Sequence, residues 1–256
     1  MKKLISLFVV LMTTGLMAAP GHPDMNQYNH IVEDKDIHIQ KSIFSILACD
    51  YRPTQYEQLW LTTLRNKYTS PEMFKIAAKR ISHCVMQKSI NAMRSEQISI
   101  ETSLAWTKGI QLNQEIHLVS IMRGGDVLLE EFIYSFPNAR ISKFVIERDE
   151  ETTLPIFKYK KLAPKINDGS LVVICEPMVA TGSALRLVIE CLLEKGVELH
   201  NIMIASIITC PEAMDFLSWR YPTLKFVTCA IDDKINDVKF IVPGMGDFAD
   251  RYYGTE

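Results

Sequence analysis

The chain has 256 residues, enough for one large domain or two small ones, and 48% of them are apolar, which suffices for a well-buried core. Its 28 basic and 30 acidic residues leave a formal charge of −2, so no global basic field draws it onto nucleic acid. A small-molecule or protein partner is favoured instead.

In chain order, the first segment is an address. Lys2 and Lys3 precede the charge-free run Leu4 to Met17, and the small residues Ala18 and Ala19 follow. These are the three parts of a secretory signal, in a run too short for a comfortable membrane span. Residues 1–18 therefore read as a signal for export or the periplasm; the alternative is a cytoplasmic protein whose translation starts later, as at Met25. Residues 19–40 are polar and read as a linker. The folded domain is expected over 41–256.

Within it, SPEMFKIAAKRISHCVMQKSINAM has Ser70 as N-cap, Pro71 in the first turn and apolar residues at helical spacing. This predicts a long amphipathic helix. Strand-like runs then alternate with helical ones: EIHLVSIM and DVLLEEFIYSF, ISKFVIE, LVVICE and ALRLVIECLLEKG, NIMIASIIT and PEAMDFLSWRY, LKFVTCAI, and KFIV. Nearly continuous apolar strands separated by helices predict an α/β fold, a mostly parallel sheet flanked by helices on both faces. Ligands of such sheets bind at the carboxyl ends of the strands, here the loops IMRGGD, ERDEET, EPMVATGSA and IVPGMGDFAD. Cysteines 49, 84, 175, 191, 210 and 229 are scattered, several in apolar runs, and read as buried free thiols. Neither they nor the dispersed histidines have the spacing of a structural zinc site.

In EPMVATGSA, the loop Ala180, Thr181, Gly182, Ser183 and Ala184 opens a helix with small side chains, free backbone N–H groups and hydroxyls. Those are the requirements of a phosphate cradle with a helix dipole behind it. No Walker motif is present. Glu176, at the preceding strand end, can accept hydrogen bonds from sugar hydroxyls, so the segment suits a ribose 5-phosphate. A capped helix following a buried strand is the competing reading of this segment alone.

An acidic residue followed by P-M-x-A-T-G resembles the phosphoribosyl diphosphate (PRPP) loop of the uracil phosphoribosyltransferases. Three more segments match that family in order. IMRGG at 121–125 is similar to its L-R-A-G loop, and RDEET at 148–152, with Lys161 and Leu162 downstream, to its arginine and acidic loop. IDDKIND with FIVPGMGDFADRYYGT is similar to its uracil loop and C-terminal signature, the DFADRY form being closer to the eukaryote-like branch.

The resemblance implies a type I phosphoribosyltransferase fold with a mobile hood, formed here by ERDEETTLPIFKYKKL. It implies condensation of uracil with PRPP to give UMP and diphosphate, a pyrimidine salvage step. Carried onto matching positions, Arg123 and Arg148 approach the diphosphate, and Glu176 holds the ribose hydroxyls. Pro177, Met178 and Val179 lead into the 180–184 cradle for the 5-phosphate. Main-chain groups of Ile241, Gly246 and Phe248 read the uracil edge, while Asp247 lies between uracil and PRPP with its metal. Arg123, Arg148 and Asp247 are the catalytic candidates. Magnesium is expected to be held mainly by PRPP and water, with no dedicated protein metal site. Family members are commonly homo-oligomers, dimers or tetramers, and some are activated by GTP. His117 reads as structural, and Glu150 and Glu151 as a solvated face of the hood.

The chain departs from the family pattern in three places. Thr181-Gly182-Ser183-Ala184 stands for the usual T-G-G-S or T-A-G-S, Arg-Gly-Gly for Arg-Ala-Gly, and Glu176 for an Asp. The altered loop and the N-terminal address leave open a non-catalytic PRPP- or nucleotide-binding homologue, acting as a sensor or exported effector. The same chemistry on another base is a further reading; a purine would need a wider pocket than IVPGMGD implies.

Overall fold

The computed structural model describes residues 52–148, 155–167 and 169–255. The signal-like segment, the expected linker, the expected start of the domain, Cys49, Glu150 and Glu151 lie outside the described residues.

Helix α1, Gln55–Arg65, begins with a capping box in which Thr54 and Glu57 exchange side-chain and backbone hydrogen bonds. Helix α2, Pro71–Asn91, starts at the expected N-cap, the Ser70 side chain accepting from the Met73 N–H. It buries Phe74, Ala77, Ala78, Ile81 and Val85, the 3.6-residue stripe that the sequence displays. A hairpin of β1, Ser95–Glu101, and β2, Trp106–Leu112, follows. Both its strands are almost wholly exposed.

The core is a sheet built from β3 (Ile116–Met122), β4 (Arg140–Arg148), β5 (Pro155–Lys161), β6 (Leu171–Cys175), β7 (Met178–Val179), β8 (Ile202–Thr209) and β9 (Lys225–Ile231). Helices α3 (Gly125–Ser135), α4 (Ser183–Glu194) and α5 (Pro211–Arg220) connect them. Strands β6 and β7 lie on the same side of β8 in one register, Cys175 opposite Ala205 and Met178 opposite Ile208, so they form one strand interrupted at Glu176 and Pro177. The spatial order is β5, β4, β3, β6/β7, β8, β9, parallel except for β5. Every residue of β6 and β8 is buried, as befits parallel strands covered on both faces. His117 is fully buried on β3.

From the β3/β6 pair the chain winds in opposite directions, through α3 to β4 and through α4 and α5 to β8 and β9. Right-handed crossovers running opposite ways put α3 on one face and α4 and α5 on the other. Helix α2 packs against α1 and α3, while Arg220 at the end of α5 donates to Glu190 of α4. The carboxyl ends of β3 and β6 thus form the topological switch point, the place where ligands of such sheets bind.

The second half of the segment expected to form the hood is a strand. Pro155–Lys161 is an antiparallel edge strand paired with β4, with a register shift between Val145 and Ile146. Proline suits the first residue of an edge strand, and Phe157 packs on Phe144 with ring centroids 5.5 Å apart, which anchors this polar segment to the core. Residues 149–154 lie outside the described residues. The short strands β10, Lys234–Ile235, and β11, Ile241–Val242, pair with each other, and α6, Phe248–Tyr253, ends the domain. Cysteines 84, 175, 191, 210 and 229 are buried free thiols.

Candidate active site

Three loops meet at Gly124. A Cβ there would come within 2.9 Å of Pro177 Cγ and 3.4 Å of Phe248 Cδ1, so the turn after β3, the break after β6 and the start of α6 are in contact. The neighbouring Gly125 is tighter still: a Cβ would lie 2.4 Å from the Cys175 carbonyl oxygen and 2.9 Å from Ser120 Oγ. The Met122–Arg123 peptide in this turn is cis. Ser120 Oγ donates to Asp126 at 2.6 Å and Lys143 Nζ to the other oxygen of Asp126 at 2.9 Å, fastening the first turn of α3 to the sheet.

Arg123 is half exposed and reaches the C-terminal segment. Its Nη2 donates to Asp250 at 2.6 Å and its Nη1 to Thr255 Oγ1 at 3.0 Å, while the Tyr253 hydroxyl donates to the Arg123 carbonyl. Hydrogen bonds from Thr255 and Arg123 hold the Asp250 carboxyl below its usual range. Arg148 is the last residue of β4, its backbone opposite Pro155.

Glu176 lies at the break between β6 and β7, its N–H donating to the Ala205 carbonyl. Burial pushes its carboxyl up to about 8, against a backbone hydrogen bond from Met178, and the charge of Asp247 adds to the rise. The first phosphate-loop carboxylate and the base-loop carboxylate are therefore electrostatic neighbours. Pro177 is buried, its carbonyl accepting from the N–H groups of Ile207 and Ile208. Met178 and Val179 continue the strand. At the loop itself, Gly182 adopts a left-handed conformation at the start of α4. The Thr181 and Ser183 hydroxyls lie 2.8 Å apart, and the Ser183 N–H donates to Thr181 Oγ1. Ala184 adds no polar group, so Ser183 supplies the second hydroxyl of this turn. Thr209 and Cys210 brace it from behind through the Val179 and Ala180 carbonyls.

In the base loop Ile241 and Phe248 are buried, while Gly246 and Asp247 are exposed. Asp247 caps α6, its side chain accepting from the Asp250 N–H at 2.9 Å. Phe248 stacks on Tyr252 and packs at a tilt against Phe74. Gly244 has φ +60° and a Cβ would lie 2.2 Å from the Ile241 carbonyl oxygen, so only glycine closes this turn. The structure thus brings together Arg123, Glu176, the 180–184 turn, Asp247 and Phe248 around the carboxyl ends of β3 and β6.

A family model for uracil phosphoribosyltransferase matches residues 52–255. The chain belongs to the uracil phosphoribosyltransferase family. It is 34% identical over 212 residues to the uracil phosphoribosyltransferase of Dictyoglomus turgidum, covering 82% of this chain and 100% of the relative. To uracil phosphoribosyltransferase 2 of Schizosaccharomyces pombe it is 35% identical over 209 residues, covering 80% and 93% of the two chains. Bacterial and eukaryotic relatives stand at level identity, which favours neither branch. A solved Aquifex aeolicus protein superposes with a TM-score of 0.70 at 26% identity, over 80% of this chain and 98% of that one. The family's α/β fold is therefore the fold of this chain.

Reading the family motifs alone misses the residues that hold the base loop in place. Asp232, in the quoted IDDKIND, is buried and pairs with Arg65 of α1. Arg251, in DFADRY, donates to the carbonyls of Leu64, Met245 and Asn66 and stacks on Phe74, with its guanidinium 4.3 Å from the ring centroid. The signal of Arg251 was a charged residue in a motif rich in aromatics, whereas Asp232 is one of four charged residues in IDDKIND and nothing in the sequence singles it out. Their partners in α1 carry no motif at all.

Proposed function

We propose that the chain transfers the phosphoribosyl group of PRPP to uracil, releasing diphosphate and forming UMP for pyrimidine salvage. The observation that supports this reading is the meeting of three loops at Gly124, where the turn after β3, the break that leads into the phosphate-type turn and the start of the helix after the base loop are in contact. In the reaction the ribose C1–O bond to diphosphate breaks and a C1–N bond to the base forms. No general base of unusual strength is needed, so positioning and electrostatics do most of the work.

Each residue then has a role. The Thr181 and Ser183 hydroxyls and the N-terminal N–H groups of α4 bind the 5-phosphate. Arg123 and Arg148 take up charge on the diphosphate as it leaves; for Arg123, this means exchanging its bonds to Asp250 and Thr255 for bonds to phosphate oxygens. Glu176 accepts from the ribose hydroxyls. The main chain of Ile241, Gly246 and Phe248 reads the edge of the base, and Asp247 stabilises positive charge growing on the sugar.

Among the described residues no group of three or more His, Cys, Asp or Glu is placed to hold a metal. Glu176 and Asp247, near enough for the charge of one to bear on the other, are hard oxygen donors that would fit a magnesium ion arriving with its substrate and keeping most of its waters. When bound, magnesium would neutralise diphosphate charge, and Glu176 and Asp247 would orient the sugar.

A homo-oligomer is part of the proposal. The β1–β2 hairpin holds Leu104, Trp106 and Ile110 in solvent, 95%, 67% and 73% exposed, a cost that a second subunit would remove. GTP activation is carried over as a family property, tested by adding GTP to the assay. Residues 1–18 are proposed to direct export, tested with a reporter fused after residue 30.

The deciding experiment is uracil-dependent release of diphosphate from PRPP with magnesium. Turnover with uracil and not with hypoxanthine is expected. Binding of PRPP without turnover would replace this reading with that of a PRPP sensor.

A further inference from the structure

The base loop is held by an ion pair between residues 167 positions apart. Asp232, 5% exposed, accepts from Arg65 through both carboxylate oxygens, at 2.7 and 2.5 Å. The same carboxylate accepts from the Gly244 N–H at 2.7 Å, and Arg65 Nη1 donates to the Gly244 carbonyl at 3.0 Å. Both backbone polar groups of Gly244 are thus gripped by one charge pair. Gly244 lies between Ile241 and Gly246, the main-chain positions that face the base.

Stability is a poor account of this arrangement. Taking two charges out of water offsets much of their attraction, and an apolar pair of similar volume often serves a core equally well. What an apolar pair cannot do is fix the direction of the Gly244 N–H and C=O. A loop that recognises a flat ligand through its main chain has no side chain to correct a displaced backbone, so an error in loop position becomes an error in every contact.

We propose that Arg65 and Asp232 are positioning residues for the base, which makes helix α1 part of the uracil site. The inference rests on the uracil reading above, and its test keeps the two separable.

The test uses the full chain and steady-state kinetics with uracil and PRPP varied separately. Asp232→Asn replaces an oxygen that accepts from Gly244 or Arg65 by an N–H2 group; losing one hydrogen bond to a charged group corresponds to about a 10- to 100-fold effect. KM for uracil should rise by about that factor while KM for PRPP stays within about twofold. The double variant Arg65→Met with Asp232→Leu removes both charges. Its thermal midpoint should return toward that of the unmodified protein, yet its uracil KM should stay raised, because Gly244 still lacks partners. If uracil KM recovers along with the midpoint, or if both KM values rise together, the pair is merely structural and the proposal fails. Amide hydrogen exchange gives a readout independent of turnover. The amides of 244–248 should exchange faster in Arg65→Lys and in the double variant, and unchanged exchange would overturn the proposal even if the unmodified chain used another base.

Discussion

Arg123 and Asp250 are joined at 2.6 Å, with Thr255 hydrogen-bonded to both. The pair ties the turn after β3 to the last helix, yet Arg123 is 50% exposed and Asp250 32%. Exposed pairs of this kind contribute little to stability. Arg123→Ala should therefore leave the thermal midpoint nearly unchanged but lower kcat/KM for PRPP by about 100- to 1,000-fold, the cost of removing a donor to developing charge. Steady-state kinetics and a thermal melt on the same sample check both halves.

Glu176 gives the protein a pH signature. Its carboxyl titrates near 8 when folded against an ordinary value of 4.5, so the folded state holds a proton that the unfolded chain has released between those limits. Stability from this group is complete below about 4.5 and falls as pH rises toward 8, by up to about 1.4 kcal/mol per pH unit. Glu176→Gln should flatten that part of the melting profile. PRPP and magnesium favour the ionised carboxylate, so PRPP affinity should strengthen as pH rises toward 8 in the unmodified protein more than in the Gln variant. Thermal melts and PRPP titrations across this range read the two effects.

Ser183 should stand in for the hydroxyl that Ala184 lacks. Its Oγ lies 2.8 Å from Thr181 Oγ1, which places the two hydroxyls side by side at the start of α4. Ser183→Ala should weaken PRPP binding by about 1.5–3 kcal/mol, the worth of one hydrogen bond to a charged group, without changing uracil KM. Calorimetric titration with PRPP measures this.

For Asp247, the cap and the chemistry can be separated. Asparagine caps a helix about as well as aspartate, so Asp247→Asn should keep the bond from the Asp250 N–H and leave stability intact. Turnover should drop far more than uracil binding weakens; equal losses in both would contradict an electrostatic role toward the sugar.

The two adjacent glycines should respond differently. Gly124→Ala restores the family's usual Arg-Ala-Gly and meets the Pro177 ring, a side chain able to shift by a few tenths of an ångström. Gly125→Ala drives a Cβ to 2.4 Å from the backbone oxygen of Cys175. The first should cost under about 1 kcal/mol and the second about 3 kcal/mol or more, as denaturant melts will show.

Helix α2, the buried strands and the turn at 180–184 were legible because their signals are local: a cap, an apolar period, small residues before a helix. Helix α1 carries the same kind of local signal in the Thr54 and Glu57 capping box. The β5 strand was not legible because its residues are half-buried or exposed without alternation, and its place in the sheet is fixed by Phe157 against Phe144. Hairpin β1–β2 has no buried face to set a period, and its composition alone did not announce it.

By itself the sequence determined the chemistry on offer: an acidic strand end, a phosphate-type turn, an arginine after β3 and a glycine-rich loop before the C-terminus, each at the end of an apolar strand or beside one. Which of these face one another was decided by the tertiary structure. Strand order and opposite-running crossovers put the switch point at β3 and β6, and this brings Glu176 within range of Asp247 and Arg123 to Asp250. The Arg65–Asp232 grip on Gly244 likewise exists only once α1 and β9 have packed. Local propensity acts between near neighbours in the chain, whereas an ion pair across 167 residues depends on how every layer between them is stacked.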